Sequence, residues 1–242
     1  QPALNKLGKL MAPRGVGRML SQPLSKIDFR TIMDKGYVFL ADLSGIGDDA
    51  RNILGTFIMS CIYLAALSRS DTPEESRKQF NVYADEAHRF IAGTMTDIIA
   101  QTRKHRVGLT LAHQFLSQWR PEDIDALGTT GFTVIFGVLY KDAERLLRMH
   151  GAEFSPQDLL SFQPGDALAR IGAEWVRVTT AERPAAVKDD IRNRAIALSH
   201  EKYYCRASET SDRAALFEHR KSPRAATPPV EEEEGDYVFD TL

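Results

Sequence analysis

The chain has 242 residues, 43% hydrophobic and 26% charged, with a formal net charge of −2, which is the make-up of an ordinary globular protein with enough apolar residues for a core. Near-balanced charge excludes a global positive field, so any nucleic-acid contact must come from a local patch. Cys61 and Cys205 match no metal-ligand or redox spacing, and the opening Gln1-Pro2-Ala3-Leu4 lacks the charged-then-apolar pattern of a signal peptide; a reducing cytoplasmic setting is expected, with Cys61 as a packing residue.

In chain order, residues 1–27 are rich in Gly, Pro, Lys and Arg and read as a lead-in with at most a short helix. Residues 28–34 predict one or two helical turns ending near Gly36. Residues 37–43 (YVFLADL) predict a buried strand. Asp48 and Asp49 then open a long apolar helix to about Ser68; its uncharged run, 52–68, falls short of a membrane span and reads as a buried helix. Residues 69–78 predict a charged surface loop.

The apolar run 80–84 leads into Asp85-Glu86. A helix over 95–105, a strand over 107–112, a strand over 132–138 and a helix over 141–149 follow. Strands alternating with helices, the strands almost continuously apolar, predict an α/β fold with a mostly parallel sheet covered on both faces. Residues 166–171 and 174–179 flank Gly172-Ala173 and predict a hairpin. Beyond Pro184, Val187, Ile191, Ala195 and Leu198 recur at helical spacing within a charged segment. The acidic tail 221–242, with Pro228-Pro229 and Glu231 to Glu234, has the composition of a disordered segment. It is either a docking peptide for a basic partner or a solubilising tail.

The chemistry-bearing signal is Asp85-Glu86 at the C-terminal end of an apolar strand, the end where α/β sheets bind ligands. There an Asp can enter the Mg²⁺ shell through water, and a following Glu can polarise the water that attacks a γ-phosphate. Alone, the pair would equally serve to cap the next helix. Gln114, directly after the next strand, stands where a polar sensor would feel the γ-phosphate. Arg103 lies in the cluster Arg103-Lys104-His105-Arg106. It fits a transition-state cation for a neighbouring subunit's nucleotide, or simply a solvated helix end favoured by the helix dipole.

The stretch NVYADEAHRFIAGTMTDIIAQTRKHRVGLTLAHQFLSQW resembles the TraG/TraD/HerA branch of the FtsK-HerA P-loop ATPases, which includes the coupling proteins of conjugation and type IV secretion. Weaker matches run from 36–43 through 142–146 to the turn at 162–165, and the resemblance covers about 28–205. The resemblance implies a RecA-like ATPase core, with 28–184 its C-terminal part and 185–220 a helical segment. It implies Asp85 and Glu86 as the Walker B pair, Asp85 binding nucleotide through a water-linked Mg²⁺. Glu86 and Gln114 would be catalytic in cis and Arg103 an arginine finger in trans. ATP and Mg²⁺ as cofactors, DNA as partner, a hexameric ring and a bacterial cytoplasmic site, with the parent at or near the inner membrane, are likewise implied.

The departure from the family is the phosphate cradle. No G-x-x-x-x-G-K-[ST] occurs, and Gly45-Ile46-Gly47 lacks the Lys and the Ser/Thr. The chain is therefore expected to be the hydrolysis half of a site, truncated on its N-terminal side and inactive alone. Two alternatives stand beside this: a non-catalytic remnant acting only as an interaction module, and a DEAH-type helicase, spelled by Asp85-Glu86-Ala87-His88. A helicase would need Ser-Ala-Thr after the next strand, where this chain has Leu-Ala-His-Gln. His88, His105 and His113 lack the i, i+4 spacing of a helical metal pair and read as surface or sensor-adjacent, while Trp119 and Trp175 read as packing residues.

Overall fold

The computed structural model describes residues 8, 14–20, 22, 25–91, 95–186 and 188–204. The tail 221–242 and Cys205 lie outside the described residues.

After a seven-residue helix α1 (Arg14–Leu20), helix α2 (Phe29–Lys35) is set by its ends. The Asp28 carboxylate accepts the Arg30 N–H at its start, and Gly36, at φ 72°, closes it in the left-handed conformation that glycine adopts without strain. Helix α3 (Asp48–Ser68) buries Ala50, Leu54, Met59, Ile62 and Ala66 along one side, and leaves Phe57 and Leu64 exposed on the other. The buried helix expected from the sequence is thus buried on one side only. By length and composition it is apolar enough to cross a membrane.

Strand β1 (Phe80–Ala84) pairs in parallel with β2 (Val107–Leu111), from Phe80 opposite Val107 to Ala84 opposite Leu111. Between them run helices α4 (His88–Ile91) and α5 (Met95–Thr102) and a 3-10 turn at Arg103–His105. Helix α6 (Pro121–Gly128) leads to β3 (Phe132–Ile135), helix α7 (Tyr140–His150) and helix α8 (Pro156–Leu160), capped by Ser155. The expected hairpin forms as β4 (Asp166–Ile171) and β5 (Glu174–Thr179), and β3 joins it antiparallel to β4. Helix α9 (Asp189–Tyr203) follows. One core holds both sheets: Val82 and Val107 from the parallel pair meet Met59, Ile62, Ile98 and Leu116, and Ile135 and Leu168 from the antiparallel sheet meet Leu146 and Leu159.

Three expectations are corrected. Residues 37–43 form no strand: Val38 and Leu40 are 84% and 86% exposed. A strand exists only where another backbone pairs with it, and here none does. Among the described residues the parallel sheet accordingly has two strands, and the other three strands are antiparallel. In the expected surface loop, Arg69 is fully buried (0% exposed). Its Nη1 and Nη2 donate to the His105 and Lys78 carbonyls, and its Nε lies 3.1 Å from Asp34 Oδ1. The charged helix expected beyond Pro184 forms as α9, with Ile191 and Leu198 exposed; near its end Lys26 donates to the Tyr204 carbonyl and Lys202 lies over the Tyr37 ring.

Candidate active site

The site is built at the C-terminal ends of β1 and β2. Ala112 N–H donates to the Ala84 carbonyl at 2.9 Å, which continues the parallel ladder. A regular ladder would return through the Glu86 N–H. Instead Ala87 N–H donates to the Ala112 carbonyl at 3.0 Å, so one extra residue is inserted at the strand end. Glu86 absorbs the insertion with φ 51°, a left-handed conformation that costs a non-glycine residue of order 1 kcal/mol or more. The Asp85 carboxylate closes the turn from inside, its Oδ1 accepting the Glu86 N–H at 3.0 Å. The strand therefore ends in a fixed, strained elbow.

Packing holds the elbow from below. Ala87 is fully buried, and a Cβ on Gly55 of α3 would lie 2.2 Å from the Phe90 ring of α4. Only glycine at position 55 lets α4 sit this close to α3. From the side, Arg89 Nη1 reaches Asp48 Oδ1 at the start of α3, 3.2 Å away.

The two candidate catalytic side chains of this end meet directly. Gln114 Nε2 donates to Glu86 Oε1 at 2.5 Å, joining the segment after β2 to the elbow after β1. On the other side His88 Nδ1 lies 3.4 Å from Glu86 Oε2. The His88 ring stands edge-on to buried Trp119 at 6.0 Å, and His113 stands edge-on to the same indole at 5.6 Å. Burial pushes His88 below the ordinary histidine value, against an upward pull from Glu86. It does the same to His113, helped by the nearby His88. Loss of hydration disfavours the imidazolium, so both rings are held towards the neutral form. Further out, Asp142 Oδ2 of α7 accepts the Leu116 N–H and anchors the loop carrying Gln114.

Asp85 is exposed, and its Oδ2 has no protein hydrogen bond among the described residues. A hard carboxylate oxygen of this kind fits a water-linked Mg²⁺, which takes one or two protein carboxylates and keeps several waters. Among the described residues no group of three or more His, Cys, Asp and Glu side chains forms a metal cage.

Arg103 stands apart. It lies in the turn before β2, and β2 begins opposite the start of β1. The five residues of β1 separate it from the elbow by roughly 16 Å at about 3.3 Å per residue. Within one chain, then, the structure brings Asp85, Glu86 and Gln114 together and leaves exposed Arg103 at the opposite end of the strands. The sequence gives His88 no more than a surface or sensor-adjacent place and Trp119 only a packing role, and neither reading puts them against Glu86. The only signal was the closeness of His88 to Glu86, since Trp119 arrives through the fold.

No family model and no curated protein matches the chain. Solved structures do. VirB4 of Thermoanaerobacter pseudethanolicus aligns at 17% identity and a TM-score of 0.46, over 59% of this chain and 40% of that one. The bacterial conjugative coupling protein TrwB, in an unbound form, aligns at 14% identity and 0.49, over 57% and 38%. Plasmid coupling protein TrwB in complex with a non-hydrolysable GTP analogue aligns at 15% and 0.43, over 58% and 40%. The matched part is about two fifths of each relative's length.

Proposed function

We propose that this chain carries the hydrolysis and sensing half of the nucleotide site in an ATP-driven, DNA-translocating motor of the type IV secretion and conjugation coupling class. The observation that carries the reading is the 2.5 Å contact between Gln114 and Glu86, which places a polar amide and a carboxylate at the adjacent ends of two parallel strands. A pair that served only to cap the next helix would have no use for that amide.

In this reading Asp85 holds Mg²⁺ through water, and the ion neutralises phosphate charge when bound. Glu86 faces the attacking water and draws on its proton, which sharpens its nucleophilicity towards the γ-phosphate. Gln114 fixes the carboxylate and reports on the phosphate. Arg103, remote from its own chain's elbow, serves the neighbouring subunit's nucleotide in a hexameric ring, where a heterologous interface closes by rotation. The phosphate cradle comes from outside these motifs, since the 242 residues contain no glycine-rich loop with its Lys and Ser/Thr.

The test is Glu86→Gln in an assembly that supplies the cradle. ATP turnover should fall at least a hundredfold, corresponding to about 2.7 kcal/mol or more of lost transition-state stabilisation, while nucleotide binding is kept. Turnover within a few-fold of the unmodified protein would sink the assignment.

A further inference from the structure

The Glu86 carboxylate is approached from two sides by groups of different elements. Gln114 donates to Oε1 from beyond β2, and His88 presents Nδ1 to Oε2 from the start of α4. The geometry points to His88 as a positioning residue that, with Gln114, clamps Glu86 in one orientation, its own ring held by Trp119. This rests on the reading of Glu86 given above, and it adds a residue to which that reading gives no part.

Three observations support it. His88 Nδ1 is buried and has no aligned hydrogen bond, yet Glu86 Oε2, an acceptor, lies 3.4 Å from it. Catalytic hydrogen bonds are often poorly aligned before substrate binds and tighten afterwards, so a reorientation of the Glu86 carboxylate completes this one. Second, the ring has little freedom. It is edge-on to Trp119, which is 5% exposed and also in edge contact with His113. A buried indole in edge contact with the imidazole limits how far the ring can turn. Third, the elbow conformation at Glu86 brings residues 86 and 88 to the same side of the turn, and Arg89 N–H donates to the Glu86 carbonyl to keep it so.

The chemistry then dictates a proton position. An ionised carboxylate only accepts, so His88 must carry its proton on Nδ1. Which ring nitrogen is protonated is set by the partner that the ring meets. Burial keeps the ring neutral, with Glu86 opposing it and Arg89 and His113 as the other titratable groups facing it.

Changing Glu86 to Gln should reverse the tautomer. Gln114 still donates to a carbonyl oxygen on that side, so the new amide turns its NH₂ towards His88. Nδ1 must then accept, and the proton moves to Nε2. The experiment uses the full chain labelled with ¹⁵N-histidine, above the pH at which His88 titrates. Long-range ¹H–¹⁵N correlations distinguish the two tautomers, and loss of one set of signals in His88→Asn assigns the residue. The expected result is Nδ1–H in the unmodified chain and Nε2–H in Glu86→Gln. An Nε2–H ring in the unmodified chain, or the same tautomer in both proteins, overturns the clamp. Since no turnover is measured, the clamp can fail while Glu86 remains essential for hydrolysis. Equally, the tautomers can switch as expected in a protein whose Glu86 proves dispensable, and then only the functional reading falls.

Discussion

At the residue scale, the informative feature is a backbone angle. Glu86 sits at φ 51° because one extra residue has to fit between the Ala84 and Ala87 ladder bonds. Left-handed backbone costs an L-residue about 1–2 kcal/mol, and glycine escapes that cost but gives back part of the gain in unfolded-state entropy. Two substitutions separate the strain from the lost Gln114 hydrogen bond, because both remove the carboxylate. Glu86→Gly should be more stable than Glu86→Ala by about 1 kcal/mol in urea unfolding. Equal midpoints would mean that the elbow carries no strain. None of this was legible in the letters Asp85-Glu86, which foretell two carboxylates at a strand end and nothing about the bulge that aims them. Asp85, Glu86 and Gln114 were legible as a set because each directly follows an apolar strand, and parallel strands bring their ends together. The His88–Trp119–His113 stack was not, because edge-on ring contacts depend on where a loop returns in space.

At the element scale, one buried guanidinium does the joining. Arg69 follows α3, bonds the carbonyl of Lys78 just before β1 and that of His105 just before β2, and lies against Asp34 of α2. Arg30 extends the network to Asp34, Asp71 and the Ser68 carbonyl. Burial depresses the Arg69 proton affinity, and Asp34 partly offsets that. Removing Arg69 leaves the His105 and Lys78 carbonyls without their donor, at a cost of about 1–3 kcal/mol for each buried acceptor left unpaired. Arg69→Met should therefore cost about 3 kcal/mol, read as a lower urea midpoint with an unchanged slope. A loss under 1 kcal/mol would show that the network is dispensable. The sequence reading placed Arg69 on a charged surface loop because charge argues for exposure. Only the two strand starts, converging on one point, explain why this charge is inside. The converse failure is 37–43, whose apolar pattern is that of a strand but whose backbone meets no partner. Pattern foretells which faces want covering, and pairing depends on what else is present.

At the scale of the whole molecule, the same distinction applies to the antiparallel sheet. Ile135 and Leu168 on one face enter the core, as a half-buried sheet requires. The opposite face should be polar, yet it carries Phe132 beside Ile171, and Val134 and Val176 on either side of Ala169. Phe132 and Ile171 are 60% and 61% exposed, and Val134 and Val176 on the same face are exposed as well, so this face presents several apolar side chains to water. Patches of this kind on soluble chains mark contact surfaces or association hazards. The isolated chain should therefore associate as its concentration rises, through this face. The double substitution Phe132→Thr with Ile171→Thr should return it to a monomer in sedimentation velocity. Because both side chains are largely in water already, the urea midpoint should move by no more than about 0.5 kcal/mol. If the substituted and unmodified chains sediment alike at every concentration, the face is not what drives association. A large loss of stability would instead place these two residues in the core, against the face assignment that the strand register gives them.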